Sequence, residues 1–333
     1  RGELDLYSDP ALQSMYIAPV LFAPPDLVLP AFNDSGAVNL RGSAGWRLDA
    51  AYRAYGDDHL VLPLLGETRD EEALFWGAET LPTTAPGVTD SLIFDASGFA
   101  VVRGGTEQDP WYLALDYGPH GGWHGHYDKL GYVFFARGEM LAIDPGSHSY
   151  ALPLHDTWDK STLAHNTVTV DETDQVDATG ELERFLPSPE CIWVRAAAGP
   201  VYETATLERD FVMVDGYLVD RFEARATDGQ AHQYDWLVHN PGELSHDLDA
   251  TSYGGFPSAG GYQHLSGNEA EQSDGDARFT FSFEADASYA GGFRASDSGV
   301  VAETISSDAE SHGGAWSNQL HYDFSAAPGA YIT

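Results

Sequence analysis

Two hydrophobic periodicities divide this 333-residue chain, and the switch between them limits its fold more than any other feature. Up to about Leu81, apolar residues recur every three or four positions over 11–23, 45–55 and 71–76, and Pro24, Pro25, Pro30 and Gly56 break the segments apart. That spacing buries one face of a helix. Residues 82–87, Pro-Thr-Thr-Ala-Pro-Gly, read as a linker. Beyond them, short alternating or β-branched runs recur at 98–103, 111–117, 132–136, 167–171, 209–221 and 278–284, with turn residues between. Alternation with period two sends successive side chains to opposite faces of a sheet. Asp215-Gly216, at the centre of the 209–221 run, is a hairpin signal. Strands that follow one another without helices predict an antiparallel β-sandwich. We therefore expect a short helical region over 1–82 and a mainly β domain, an antiparallel β-sandwich, over 83–333. Residues 254–276, rich in Gly, Ser and acids, read as a long loop.

Charge narrows the function classes. Acids outnumber bases by 52 to 16, a formal net charge of −36. Proteins that bind nucleic acid or anionic membranes generally carry the opposite balance, so neither is an expected partner. A hydrophobic content of 43% with 12% aromatics supports a large core and argues against disorder. No stretch approaches the roughly 20 apolar residues of a membrane-spanning helix. Lys129 and Lys160 are the only lysines. Abundant Asp and Glu with almost no Lys fits adaptation to high salt, where a hydrated acidic surface keeps a protein soluble. The single cysteine, Cys191, lies in a strand-like Cys-Ile-Trp-Val run and reads as a buried structural thiol, not a nucleophile. The N-terminal Arg-Gly-Glu-Leu-Asp-Leu has no signal-peptide character, and the chain is expected to begin part-way through a longer precursor.

The chemistry concentrates in one window. Six of the 13 histidines (His120, His124, His126, His148, His155 and His165) fall there, as do both lysines. A uniform spread would place about two histidines in it. His126, Asp144 and His165 each stand at the edge of a strand-like run, so neighbouring strands could gather them into a two-histidine, one-carboxylate metal site. Such a donor set suits Zn²⁺, and also Mn²⁺ or Fe²⁺. The competing reading is three hydrogen-bonded loop residues. Asp128 reads as a loop-ordering carboxylate rather than a fourth ligand, and Asn166 as a residue that satisfies backbone groups. Trp123 could stack on a sugar or cap a sheet. His148 and His155 read as surface loop residues, and His232 and His239 as core or cleft wall.

The order and spacing of several motifs resemble the heparinase II/III-like polysaccharide lyases, which include the oligoalginate lyases. These are His124-Gly-His-Tyr-Asp128, Asp144-Pro-Gly146, Tyr150, and Lys160-Ser-Thr-Leu-Ala-His-Asn166 with the Val-rich strand and Asp171 that follow. The likeness covers roughly residues 90–180 and extends more weakly to either side. It implies an (α/α) toroid followed by antiparallel sheets, so that 1–82 would be the end of a toroid. It implies His126, Asp144 and His165 as metal ligands, usually for zinc. His124 and Tyr150 would face the cleft as catalytic groups. The family's toroid also supplies an acid–base tyrosine, for which Tyr7 and Tyr16 are the candidates; Tyr16 reads as a packing residue and Tyr7 is preferred. Arg103, Lys129, Lys160 and Trp123 are the candidate substrate-binding groups. The implied partner is an anionic uronate polysaccharide or oligosaccharide, and the implied location is secreted or periplasmic. The toroid's carboxylate-holding Asn or Gln and His have no counterpart here. The chain is thus the C-terminal part of a longer enzyme, a chain completed by a partner, or no longer a lyase. A non-catalytic carbohydrate-binding sandwich and a metal-dependent hydrolase are the alternatives.

Overall fold

A computed structural model describes residues 6–43, 45–188, 191–214, 217–241, 243–246, 249–270, 277–283 and 316–322. The contacts divide it into two compact units. One comprises 6–30 and 37–90; the other comprises 31–36 and the described residues from Ser91 onward.

The first unit is helical. Helix α1 (Pro10–Phe22) begins where the Asp9 carboxylate accepts the Ala11 N–H, with Pro10 at its first position. It stops ahead of Pro24 and Pro25, which cannot continue it. Helix α2 (Gly45–Tyr55) ends at Gly56, and α3 (Glu71–Trp76) is capped by Asp70, which accepts the Ala73 N–H. Val20, Ala23, Leu27, Leu40, Leu48, Ala51, Leu60 and Leu64 form its core. Among the described residues, no helix is long and apolar enough to cross a membrane.

The second unit is antiparallel sheet. Five strands pair in chain order as a meander: β1 (Leu92–Phe94), β2 (Phe99–Gly105), β3 (Pro110–Asp116), β4 (Tyr132–Ala136) and β5 (Glu139–Ala142). Strand β6 (Val168–Val170) pairs elsewhere. Next come β7 (Glu181–Pro187), β8 (Ile192–Ala197), β9 (Ala205–Val214) and β10 (Tyr217–Ala226), a second meander of four. Strand β11 (Tyr234–Trp236) pairs with β6. Asp215 and Gly216 lie outside the described residues, but β9 and β10 pair in register from Val214↔Tyr217 to Ala205↔Ala226. The core lies between the sheets: Ala100, Val102, Leu113, Leu115, Tyr132 and Ala142 from the first meet Val194, Ala196, Leu207 and Phe211 from the second. A third sheet joins β12 (Glu243–His246), β13 (Ala277–Phe283) and β14 (Trp316–Tyr322).

One expectation needs correction. Cys191 sits just before β8 and is half-buried, because the strand begins one residue later. The expected long loop is pinned where it is described. Tyr262 is buried against Trp158, Leu163 and Leu237, and its hydroxyl meets Asp235 and, at 3.0 Å, Thr169. Residues 271–276 of that loop lie outside the described residues.

A buried guanidinium connects the four-stranded sheet to the loops of the first. Arg209 on β9 is fully buried. Its Nε and Nη2 donate to Asp220 at 2.8 and 2.5 Å, and Nη1 donates to the Leu130 carbonyl at 2.8 Å and to the Asn166 carbonyl. The rings of Tyr132, Phe211 and Phe222 surround it at 4.4–5.0 Å. Removing one member of such a buried pair strands the other charge at a cost of about 3–5 kcal/mol. Arg209→Met is expected to lower the unfolding free energy by about 3 kcal/mol in urea denaturation. A loss below about 1 kcal/mol would show that the pair holds nothing.

Candidate active site

Three loops of the β unit bring His126, Asp144 and His165 together. His126 follows a 3₁₀ turn at Gly122–His124, Asp144 follows β5, and His165 follows a 3₁₀ turn at Thr162–Ala164. All three are buried, and one ligand atom from each lies within 4.8 Å of the others. Glycine makes the approach possible. A Cβ on Gly125 would fall 1.6 Å from the His120 carbonyl oxygen, and one on Gly146 would meet the Ser35 carbonyl oxygen at 2.5 Å. This accounts for the glycines of the His-Gly-His and Asp-Pro-Gly motifs.

The outer hydrogen bonds decide which imidazole nitrogen faces the centre. His126 Nε2 donates to Asp34 Oδ1 at 3.1 Å, and His165 Nε2 donates to the Asp159 carbonyl at 2.9 Å. Nδ1 of each ring is thereby turned inward. The Nδ1 of His126 is buried and has no hydrogen-bond partner. An unmet buried polar atom costs about 1–3 kcal/mol, and a cation at this point would satisfy it. Nδ1 of His165 lies 2.8 Å from Asp144 Oδ2. Burial pushes the His126 pKa down. For His165 burial acts the same way, but the Asp144 carboxylate outweighs it and pushes the ring up to about 9. A metal would replace that Nδ1 proton. Two imidazoles and a carboxylate therefore fit a divalent ion.

Beside this centre lies an exposed pair. The His124 side chain is 72% exposed, and its Nδ1 is 3.1 Å from Tyr150 Oη and 3.0 Å from Asp34 Oδ2. The buried Asp34 carboxyl stays below its ordinary range: burial raises it, but hydrogen bonds from His126, His124 and Tyr150 and the charge of Lys160 outweigh burial. Partial desolvation and the Asp34 carboxylate raise the Tyr150 phenol. Lys160 Nζ donates to the Trp123 carbonyl at 3.1 Å, and Trp123 itself is 92% exposed.

A family model described as "Heparinase II/III-like, C-terminal" matches residues 86–304. The chain belongs to this family. A curated relative, the alginate lyase of Stenotrophomonas maltophilia (strain K279a), is 32% identical over 88 residues, 23% of this chain and 12% of that protein. A crystal structure of heparinase III superposes with a TM-score of 0.58 at 15% identity, covering 97% of this chain and 47% of that one. Heparan sulfate lyase from Pedobacter heparinus gives 0.52 at 15% identity, covering 96% and 48%. At such identities these structures share the fold. The chain spans less than half the length of either.

Within this heparinase II/III-like site, several expected residues take other roles. Lys129 is buried. Its ammonium lies 2.8 Å from Asp116 and 3.4 Å from Asp128, and these two acids hold it above its ordinary pKa although burial pulls it down. It is unavailable to a substrate. Arg103 is buried too, with its guanidinium 5.1 Å from the Tyr112 ring, and presents no charge to solvent. Tyr7 belongs to the helical unit, where its ring packs 5.8 Å from Tyr55. His148 and His155 are not surface loop residues. His148 Nδ1 donates to Asp159 at 2.7 Å, and the buried His155 contacts Ser147 Oγ at 3.1 Å, its ring tilted and 4.6 Å from that of Tyr150. Asn166 Nδ2 donates to the carbonyls of Tyr132 and Ile143 at 2.9 and 2.8 Å. His239 is half-buried and desolvation pushes it down to about 4, whereas His232 bridges Asp171 and Asp228 at 2.6 and 3.0 Å. Asp34 and Asp159 were not anticipated, and no local motif marks either.

Lys129→Met is expected to destabilise the fold by about 3 kcal/mol, measured by calorimetry. A variant that melts with the wild type would return Lys129 to the cleft.

Proposed function

We propose that this chain forms the β part of a polysaccharide lyase that cleaves a uronic-acid polymer by β-elimination. The observation that carries this reading is the exposed His124–Tyr150 pair set on a buried carboxylate beside a divalent-metal donor set. β-Elimination at a 4-linked uronate requires three things: neutralising the substrate carboxylate, removing the C5 proton and protonating the departing O4. Proton transfer needs a group within hydrogen-bond reach whose charge state matches its task. His124 and Tyr150 supply such groups, and Lys160 lies close enough to offset the uronate charge. The exposed Trp123 ring offers a face for a sugar. The remaining cleft falls to an (α/α) toroid, within a longer form of this chain or in a partner. Asp116 and Asp128 occupy Lys129, and Arg103 is buried, which leaves few cations for sulfate groups. A carboxylate-only polymer such as alginate is therefore favoured over ulvan or a glycosaminoglycan. A polymeric substrate and an acidic surface suit a secreted or periplasmic protein in a saline setting.

His126, Asp144 and His165 would hold the metal, with zinc favoured by the donor set. A bound ion supplies positive charge that ties the three loops together. In this role it orders the segment bearing His124 and Tyr150.

The test is an ultraviolet absorbance assay of the complete native protein over alginate, ulvan and glycosaminoglycans, since elimination leaves an unsaturated, absorbing uronate. A rise with alginate is expected. Binding without any rise would mark a carbohydrate-binding sandwich, and chain cleavage without a rise a hydrolase. His126→Ala is expected to lower both the melting temperature and the activity. Lost activity with unchanged melting would mean that the ion acts in the chemistry rather than in the fold.

A further inference from the structure

We infer that Asp34 is a positioning residue that sets the tautomer of His124 and so leaves its Nε2 free to accept a proton. The inference rests on the reading of His124 and Tyr150 as the reacting pair.

Backbone contacts place Asp34 independently of its own carboxylate. Its N–H donates to the His124 carbonyl at 3.1 Å, and the neighbouring Ser35 carbonyl accepts the Ser147 N–H at 3.1 Å. Asn33 Oδ1 accepts the His126 N–H at 3.1 Å, with Asn33 in the left-handed region at φ 55°. Asparagine tolerates that conformation better than most residues. Residues 31–36 are thus pinned between the His124–His126 loop and the Gly146–Ser147 turn, and the carboxylate arrives from a fixed backbone.

Each oxygen then has its own donors. Oδ1 takes His126 Nε2–H at 3.1 Å, with His155 Nε2 3.7 Å away. Oδ2 takes His124 Nδ1–H at 3.0 Å, and the Tyr150 hydroxyl also donates to this carboxylate. An ionised carboxylate only accepts. His124 Nδ1 must therefore carry the proton, which leaves the lone pair of the neutral ring on Nε2, the other nitrogen of an exposed side chain. A carboxylate holding a histidine in the tautomer needed for proton abstraction is the division of labour in hydrolase triads. Here the same carboxylate also orients a metal ligand and receives the tyrosine.

Asp34→Asn separates orientation from bulk. The amide has a single accepting oxygen. With that oxygen turned to the buried His126 Nε2–H, its NH₂ faces His124. Nδ1 of His124 must then accept, and the proton moves to Nε2. The experiment records long-range ¹H–¹⁵N correlation spectra of the imidazoles in the complete protein at about pH 8.5, above the ordinary histidine range. His124→Gln assigns the signal. We expect His124 in the Nδ1–H form in the wild type and the Nε2–H form in Asp34→Asn. Alongside, kcat should fall roughly 100-fold or more with KM changed less than about threefold. A wild-type His124 in the Nε2–H form would overturn the inference, as would a tautomer that Asp34→Asn leaves unaltered. The wild-type spectrum decides the matter even where the variant fails to fold. If no uronate polymer is cleaved, the lyase reading fails on its own, and the spectra still judge Asp34.

Discussion

A cation buried between two sheets must find an opposite charge and acceptors, and Arg209 does so in a way that organises the rest of the unit. Its guanidinium is neutralised by Asp220 on the neighbouring strand, and its Nη1 donates to the carbonyls of Leu130 and Asn166. Those carbonyls belong to the loops that follow Lys129 and His165. Satisfying one charge thus ties the four-stranded sheet to the segments that carry His126 and His165. Asn166 passes the constraint on through the Tyr132 and Ile143 carbonyls, at the start of β4 and just past β5. Buried polar groups accept only partners of fixed direction, so the site inherits its geometry from this network.

The same accounting changes the meaning of the net charge of −36. The placement of both lysines among the histidines suggested that these cations serve an anionic ligand. Instead, Lys129 is enclosed by Asp116 and Asp128, Arg69 binds Asp49 at 2.8 Å, and Arg195 and Arg221 share Asp210 on the second sheet. Most of the described cations serve structure. Lys160, beside Trp123 and near Asp34, is the cation placed where the proposed chemistry needs charge.

The two histidines of the His-Gly-His motif share a carboxylate and do different work. His126 turns inward and His124 outward, and the intervening Gly125 sits where a side chain would strike the His120 carbonyl. Asp34 stands between them with one oxygen for each. A loss at Asp34 would therefore reach the buried centre and the exposed pair at once.

The sequence by itself determined the change from helical to strand periodicity near residue 82, the antiparallel class and the three ligand candidates. Period and turn chemistry are local properties, and the family's motifs keep a fixed order. The helical run at 71–76, the prolines after α1 and the alternation of β2 to β4 were all legible in this way. Tertiary structure alone decided which lysine is buried, that His148 and His155 line the site, and that Asp34 completes it. Asp34 is 92 residues from His126 and lies in an Asn-Asp-Ser-Gly stretch that reads as an ordinary turn. Linear spacing reports which face of an element a residue occupies. Which distant carboxylate will meet that face is settled only when the chain packs and every buried donor finds its acceptor.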